Sequence, residues 1–277
     1  EKLKKQYNYS DFDLVNLVSE SCCQWIVDNY PDLSRWRVVC GEGYNACDGL
    51  MIAAKACRQG LDVEVVVSSD WSDHVNPTMQ MVWNYVLESG LLPKVFSNDT
   101  VYPKCDLAID AVFGVGVRLP LGDRHKAMIV SLLSIETVAK AVISIDIPSG
   151  LCPDSGEVDS IAVKANHTLP IFFLKPGLLG YHGRKISGQC HVQRPKSLGV
   201  LSSNVLDYHP KPIYKCNRLV DSHKNMYGRL VIIGSFDQYP GAVCLVARAA
   251  AVMGCGHITI VSHGVCKEMI LRAYPSF

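Results

Sequence analysis

The chain alternates between short apolar runs and longer stretches of helical spacing over its first 195 or so residues. Residues 11–30 carry apolar side chains at three- and four-residue intervals, which predicts an amphipathic helix. Predicted strands then follow at 38–40, 63–67, 107–113 and 141–147, separated by predicted helices at 48–59, 76–89 and 123–139. Continuous apolar strands separated by helices indicate a parallel sheet covered on both faces.

Two further β-rich stretches, 167–174 and 189–193, extend this sheet at one edge. We therefore predict an α/β domain over residues 1–196, a Rossmann-like three-layer αβα sandwich with a mostly parallel sheet. The periodicity disappears over 197–222, where the run His209-Pro210-Lys211-Pro212 stiffens the backbone, and this stretch is interpreted as a linker.

A second α/β unit begins after the linker, over residues 223–277. It has an apolar strand at 229–234, a helix of small residues at 242–253 and a strand at 257–261. This is the opening βαβ of a further unit. So short a piece is marginal as a free-standing domain, which indicates a truncated one.

Composition narrows the function classes. Hydrophobic residues make up 48%, charged residues 19%, and the net charge is +1, so nothing points to nucleic acid or to a membrane surface. The twelve cysteines are scattered without metal-ligand spacing, which favours reduced core thiols in a cytoplasmic protein. Because the chain begins at Glu1 rather than Met, a processed organellar targeting segment stays open as an alternative.

Three strand ends carry the candidate chemistry. The first, Gly41–Gly49, is a glycine-containing loop between an apolar strand and a helix, and the positive end of that helix favours an anion. The second and third are 110–116 and 146–150, each beginning with an aspartate. Ligands of open α/β sheets bind outside the carboxyl ends of the strands, so these loops predict one shared site.

These motifs, together with Lys175-Pro176-Gly177-Leu178, resemble those of the NAD(P)H-hydrate repair family. The stretch 11–195 is similar to the NAD(P)HX epimerase domain of that family. The unit from residue 223 resembles the start of its ribokinase-like NAD(P)HX dehydratase, without the catalytic segment of that enzyme. The resemblance implies a homodimer that interconverts the R and S epimers of NAD(P)HX at C6 of the hydrated nicotinamide ring.

The resemblance also implies the roles of individual residues. A potassium ion is expected at Asn45, Asp110 and Ser149, whose oxygen atoms suit a hard cation. Asp110 is expected to be the principal catalytic carboxylate, with Asp146 orienting the nicotinamide or sharing proton transfer. The expected substrate-binding residues are Tyr44, Asn45, Ala46, Cys47, Asp48, Gly114, Val115, Gly116, Val117, Arg118, Leu119, Pro120 and Asp146.

Several of these residues can also be explained by structural roles that involve no ligand. Asn45 and Ser149 are common in turns, and Asp110 can cap a loop or helix. Asp48 is expected to be the N-cap of the predicted helix, and Arg118 can grip a phosphate or lie in solvent. Lys175 can reach a phosphate, although a lysine before Pro-Gly is more often a solvated turn residue.

The central loop departs from the family pattern, which has Asn-Gly-Gly where this chain has Asn45-Ala46-Cys47. If the backbone there needs a positive φ, the added Cβ atoms cost on the order of 1 kcal/mol or more. The alternative to an epimerase is therefore a catalytically impaired ligand-binding or dimerising scaffold module on the same fold. Cys47, at a helix N-terminus, is expected to favour its thiolate form.

Overall fold

The computed structural model describes residues 9–71, 76–133, 138–195, 221–235 and 239–273. The chain divides into two compact units, residues 1–207 and 208–277. The division falls inside the predicted linker, of which residues 197–220 lie outside the described residues. The linker itself stays a prediction.

A seven-stranded sheet forms the centre of the first unit. Its strands are β1 (Arg35–Cys40), β2 (Asp62–Val67), β3 (Lys94–Val95), β4 (Cys105–Ala111), β5 (Val138–Ile145), β6 (His167–Leu169) and β7 (Gln189–Cys190). They are ordered β3-β2-β1-β4-β5-β6-β7, and each neighbouring pair is parallel. This confirms the predicted Rossmann-like sheet.

Helices connect the strands. They are α1 (Asp11–Asn29), α2 (Tyr44–Arg58), α3 (Pro77–Glu88), α4 (Asp123–Leu133), α5 (Pro176–Leu179) and α6 (Tyr181–Ile186). The ends of the longer helices follow ordinary capping chemistry: Ser10 and Asp13 form a reciprocal capping box on α1, and Asn76 caps α3 ahead of Pro77.

The core lies on both faces of the sheet because successive strand residues point in opposite directions. On β1, Val38 packs in the same apolar cluster as α1, α2 and α3, while Val39 packs in the cluster that contains Met128 of α4. Helices therefore cover both faces, as the continuous apolar strands predicted.

Four boundaries near the site differ from those predicted. Helix α2 begins at Tyr44 rather than at 48, so the loop before it is shorter than expected. Strands β4 and β5 end at Ala111 and Ile145, two residues earlier than predicted. Strand β6 ends at Leu169, so the apolar residues 170–174 form a loop instead of continuing the strand.

The second unit contains a 3₁₀ turn (Lys224–Tyr227), β8 (Arg229–Ile233), α7 (Pro240–Val252), β9 (His257–Val261) and α8 (Gly264–Ala273). Strands β8 and β9 pair in parallel with α7 between them, which is the predicted βαβ. Several large apolar side chains of this unit are exposed, among them Ile233, Leu245 and Val252. Among the described residues no helix combines the length and apolarity needed to cross a membrane.

Candidate functional site

The loops that follow β1, β4 and β5 meet at one edge of the sheet. Strand β1 lies beside β4, and the chain order runs outward in opposite directions from that pair, which makes this the topological switch point where α/β proteins bind ligands. A cavity of about 810 Å³ lies there. Its wall is formed by residues 42–45 and 48, residues 112–117, His125, Asp146, residues 171–173 and Lys175.

The loop after β1 turns directly into helix α2. Gly43 is the N-cap and has no side chain to bond the first amides, so the positive end of the helix dipole is left at the cavity wall. Gly41 is needed for a different reason. A Cβ atom there would lie 2.1 Å from the carbonyl oxygen of Val112, because the loop passes close to the end of β4.

Asn45 ties the three loops together. Its Nδ2 donates to the carbonyl oxygens of Phe113 (2.8 Å) and Ile145 (3.2 Å), at the ends of β4 and β5. Its Oδ1 is buried and has no hydrogen-bond partner among the described residues. A buried oxygen without a partner is costly, so this atom requires something that bonds to it.

Asp110 is fully buried and its carboxylate accepts four hydrogen bonds. Ser149 donates through Oγ (2.6 Å) and N (2.9 Å), Ser144 through Oγ (2.8 Å) and Val112 through N (3.3 Å). Burial raises the pKa of Asp110, and these hydrogen bonds offset part of that rise. Asp110 is not among the residues that line the cavity.

The three residues expected to hold a cation are thus brought together around one backbone segment. Asn45 bonds the carbonyl oxygen of Phe113, and the Phe113 N–H donates to Ser149 Oγ at 3.0 Å, which in turn donates to Asp110. The unpartnered Asn45 Oδ1 fits an alkali ion, which binds neutral and charged oxygens alike. Within the described ranges, no group of three or more His, Cys, Asp or Glu side chains could hold a metal ion.

Asp146 and Lys175 form an ion pair in the cavity wall. Asp146 has a positive φ of 68°, and its Oδ1 accepts from the N–H of Ile171 at 3.0 Å and from Lys175 Nζ. Lys175 Nζ also donates to the carbonyl oxygen of Ile171 at 2.9 Å. Lys175 is therefore not the solvated turn residue that its sequence favours. Its charge is already matched by Asp146.

Asp48 occupies a different place from the expected one. Because α2 begins at Tyr44, Asp48 lies in the second turn of the helix and is not its N-cap. Its side chain is buried, lines the cavity and makes no hydrogen bond or ion pair with any described residue. Burial and the nearby charge of Asp146 raise the pKa of Asp48 well above its usual range, and Lys175 opposes that rise.

Ala46 and Cys47 face the core and not the cavity. Both are fully buried in the cluster that joins α2 to the sheet. Burial raises the pKa of Cys47 to about 12, with Asp48 adding to the effect. The expectation of a thiolate at this position is wrong, because burial outweighs the helix dipole.

Only the first part of the loop after β4 lines the cavity. Gly114, Val115, Gly116 and Val117 line the cavity, whereas Arg118, Leu119 and Pro120 do not. Arg118 is exposed. Tyr44 lies at the cavity wall and is about half exposed, so it is available to a ligand.

An aromatic wall was missed in the sequence. Phe172 and Phe173 line the cavity, and Phe113 and His125 contribute two further rings with centroids 4.8 Å apart. Phe172 has a φ of 62°, a left-handed conformation that is unusual for a bulky residue and typical of functional sites. The run 167–174 looked like one strand, which hid these rings from sequence analysis.

Comparison with known proteins gives a consistent result. The family model described as YjeF-related protein N-terminus matches residues 12–177. The chain is 29% identical over 283 residues to the bifunctional NAD(P)H-hydrate repair enzyme Nnr of Escherichia coli, covering 95% of this chain and 51% of that protein. It is 28% identical over 267 residues to the bifunctional NAD(P)H-hydrate repair enzyme of Leishmania braziliensis, covering 89% and 46%.

A solved structure shares the fold. The crystal structure of the yeast protein YNL200c superposes with a TM-score of 0.57 at 17% identity, covering 65% of this chain and 78% of that one. The chain spans about half the length of the curated relatives it matches.

Proposed function

We propose, from the premise that this chain belongs to the family of YjeF-related protein N-termini, that it is an NAD(P)H-hydrate epimerase acting on NAD(P)HX. The observation that carries the proposal is the cavity at the switch point, whose wall includes a helix N-terminus, two buried carboxyl groups and several aromatic rings. The names of the relatives, as NAD(P)H-hydrate repair enzymes, support the substrate class.

The cavity provides what a hydrated dinucleotide requires. The amino end of α2, with no side chain capping it, favours a phosphate group. Phe172 and Phe173 offer flat apolar surfaces for a ring. The carboxyl groups of Asp48 and Asp146 lie in the cavity wall, where one can transfer a proton and the other can stabilise a cation.

The reaction is inversion at a carbon that carries both a hydroxyl group and the ring nitrogen. Protonation of the hydroxyl and loss of water leave a planar iminium, and water can add back to either face. A carboxylate beside the ring stabilises this cation electrostatically. We assign that contact to Asp146.

Asp110 has another task in this proposal. Its oxygens are already bonded to Ser149, Ser144 and Val112, and it does not line the cavity. We therefore place Asp110 with Asn45 and Ser149 as the residues that would hold a potassium ion. When bound, that ion would supply fixed positive charge and a partner for Asn45 Oδ1.

A coupled assay tests the proposal. The separated R epimer of hydrated NADH is mixed with an excess of an S-specific dehydratase and its nucleotide, and recovery of NADH absorbance is followed with and without this chain. Recovery well above the spontaneous rate is expected. Loss of that acceleration in a tetramethylammonium buffer would support the potassium site, and no acceleration from folded protein in potassium would refute the proposed activity.

The family resemblance further supports a homodimer that works in the cytoplasm. Sedimentation velocity across a range of protein concentrations tests the dimer. A single monomeric species at every concentration would contradict it.

A further inference from the structure

The buried carboxyl group of Asp48 has no partner, and this sets it apart from the other acidic groups near the cavity. Asp110 accepts four hydrogen bonds and Asp146 is paired with Lys175. Asp48 is more than nine-tenths buried, lines the cavity and has no hydrogen bond or ion pair with a described residue. An ionised carboxylate in such a place is costly, whereas its neutral form is not.

The negative charge of Asp146 adds to the effect of burial on Asp48, and the positive charge of Lys175 opposes it. Asp146 faces it from the end of β5, and the thiols of Cys22 on α1 and Cys47 on its own helix are neutral because burial raises their pKa values. Lys175 is the nearby cation, and its ammonium group is bonded to Asp146 rather than to Asp48. Lys175 thus pairs with Asp146, and the negative charge of Asp146 favours a proton on Asp48.

We infer that Asp48 is the proton donor of the site and that Lys175 is the positioning residue that assigns the proton to it. This rests on the proposed epimerase function. Two carboxyl groups whose surroundings separate their protonation states are the usual arrangement for one acid and one electrostatic stabiliser. In this arrangement Asp48 carries the transferable proton and Asp146 is the ion-pair partner of Lys175.

The step balances without any further reagent. The Asp48 proton passes to the C6 hydroxyl group, the C–O bond breaks with its electron pair leaving on water, and the ring nitrogen lone pair forms the C=N bond of the iminium. Water then adds to the opposite face of C6, and the Asp48 carboxylate takes back one proton. Asp146 keeps its charge throughout and faces the cation.

The protonation state is tested without any activity measurement. The full chain is labelled with carboxyl-¹³C aspartate, and the Asp48 resonance is identified by its loss in Asp48→Asn. We expect this carboxyl group to titrate well above the ordinary value of about 3.9, in potassium and in tetramethylammonium buffers alike. Titration at or below that value would overturn the inference.

The catalytic role is tested by the pH dependence of kcat/KM. In the wild type, kcat/KM is expected to fall as pH rises through the Asp48 titration measured by NMR. Asp48→Asn should lose about 10²- to 10⁴-fold and no longer show that fall. The matched control is Asp99→Asn, which makes the same chemical change at an exposed loop residue and should retain wild-type activity.

The variant Lys175→Met distinguishes a role of Lys175 in controlling the proton on Asp48 from a role in stabilising the fold. The substitution leaves Asp146 without its ion pair and removes the cation that lowers the pKa of Asp48, so the NMR titration and the fall in kcat/KM should both move to higher pH. A role limited to stability would lower the melting temperature and leave the titration in place. An inactive wild type would refute the proposed function alone, whereas an active wild type with fully active Asp48→Asn would refute this inference alone.

Discussion

Glu64 pairs with one buried and one exposed cation, which allows the contribution of the buried pair to the free energy of unfolding to be measured. Arg37 on β1 is fully buried, and its Nε donates to Glu64 Oε2 at 2.8 Å from the neighbouring position of β2. Lys94 Nζ lies 3.0 Å from the other oxygen, with a side chain that is 63% exposed. The two contacts share one carboxylate, so they differ mainly in burial.

We expect Glu64→Gln to cost far more than Lys94→Met. Removing one partner of a buried pair costs about 3–5 kcal/mol, because the other charge stays buried without compensation. The Glu64 side chain is 19% exposed and Arg37 keeps the carbonyl oxygen of Pro103, which reduces the expected loss to about 2–4 kcal/mol. Lys94→Met should cost about 0–1 kcal/mol, as exposed pairs do.

Urea unfolding followed by tryptophan fluorescence isolates the relevant unit, because all four tryptophans precede residue 208. With a slope of about 2 kcal/mol/M, Glu64→Gln should lower the midpoint by about 1–2 M. Burial alone would raise the pKa of Glu64, but hydrogen bonds from Arg37 and Lys94 outweigh it and hold the pKa below its ordinary value.

The stability that this carboxylate contributes is therefore complete above its unfolded pKa of about 4.3 and is lost as pH falls through the lower folded value. The gap between wild type and Glu64→Gln should close under acid conditions. Equal midpoint shifts for Glu64→Gln and Lys94→Met at neutral pH would refute the reasoning.

Three other predictions follow from the described contacts. His167 Nδ1 and His191 Nε2 lie 3.1 Å apart, and burial lowers the pKa values of both side chains. Stability should therefore fall as pH drops through about 6.5, because the histidines of the unfolded chain take up protons there. His167→Gln should show a smaller loss of urea midpoint between pH 8 and pH 5.5 than the wild type. Iodoacetamide at pH 8 should modify Cys152 of the native protein well before Cys47, because a hydrogen bond with Ser155 lowers the pKa of Cys152 whereas burial raises that of Cys47. Early labelling of Cys47, measured by mass spectrometry, would contradict its burial. At one hundred times Kd, potassium chloride should raise the free energy of unfolding by about 2.7 kcal/mol relative to tetramethylammonium chloride of equal ionic strength, which raises the urea midpoint, and Asn45→Leu should abolish that difference.

The parts of the fold that could be predicted are those decided by local pattern. Continuous apolar runs located β1, β2, β4 and β5, because strands buried on both faces lack the alternation of apolar and polar residues. The same runs placed Asp110 and Asp146 toward the ends of two strands, and parallel pairing brings those ends together. The candidate site therefore follows from the strand ends alone.

The parts that could not be predicted depend on contacts between distant residues. Lys175 and Asp146 meet because β5 pairs with β6 and the chain then turns back, and no local signal records this. The start of α2 was missed because Tyr44–Asp48 mixes polar and small residues, so the first turn has no amphipathic pattern. Its polar members face the cavity, and its small members pack on the sheet.

The separation of cavity-facing from core-facing residues in the first turn of α2 bears on the choice between an epimerase and an impaired scaffold. The scaffold hypothesis drew its support from Ala46 and Cys47, where the family has two glycines. Neither residue has a positive φ, because both lie inside α2, and both side chains point into the core rather than toward the cavity. Their Cβ atoms therefore bring neither the backbone strain of a left-handed residue nor an obstruction of the ligand. Asn45, Asp48 and Asp146 line the cavity and match the family pattern, so the substitution at Ala46 and Cys47 gives no structural reason to expect lost activity.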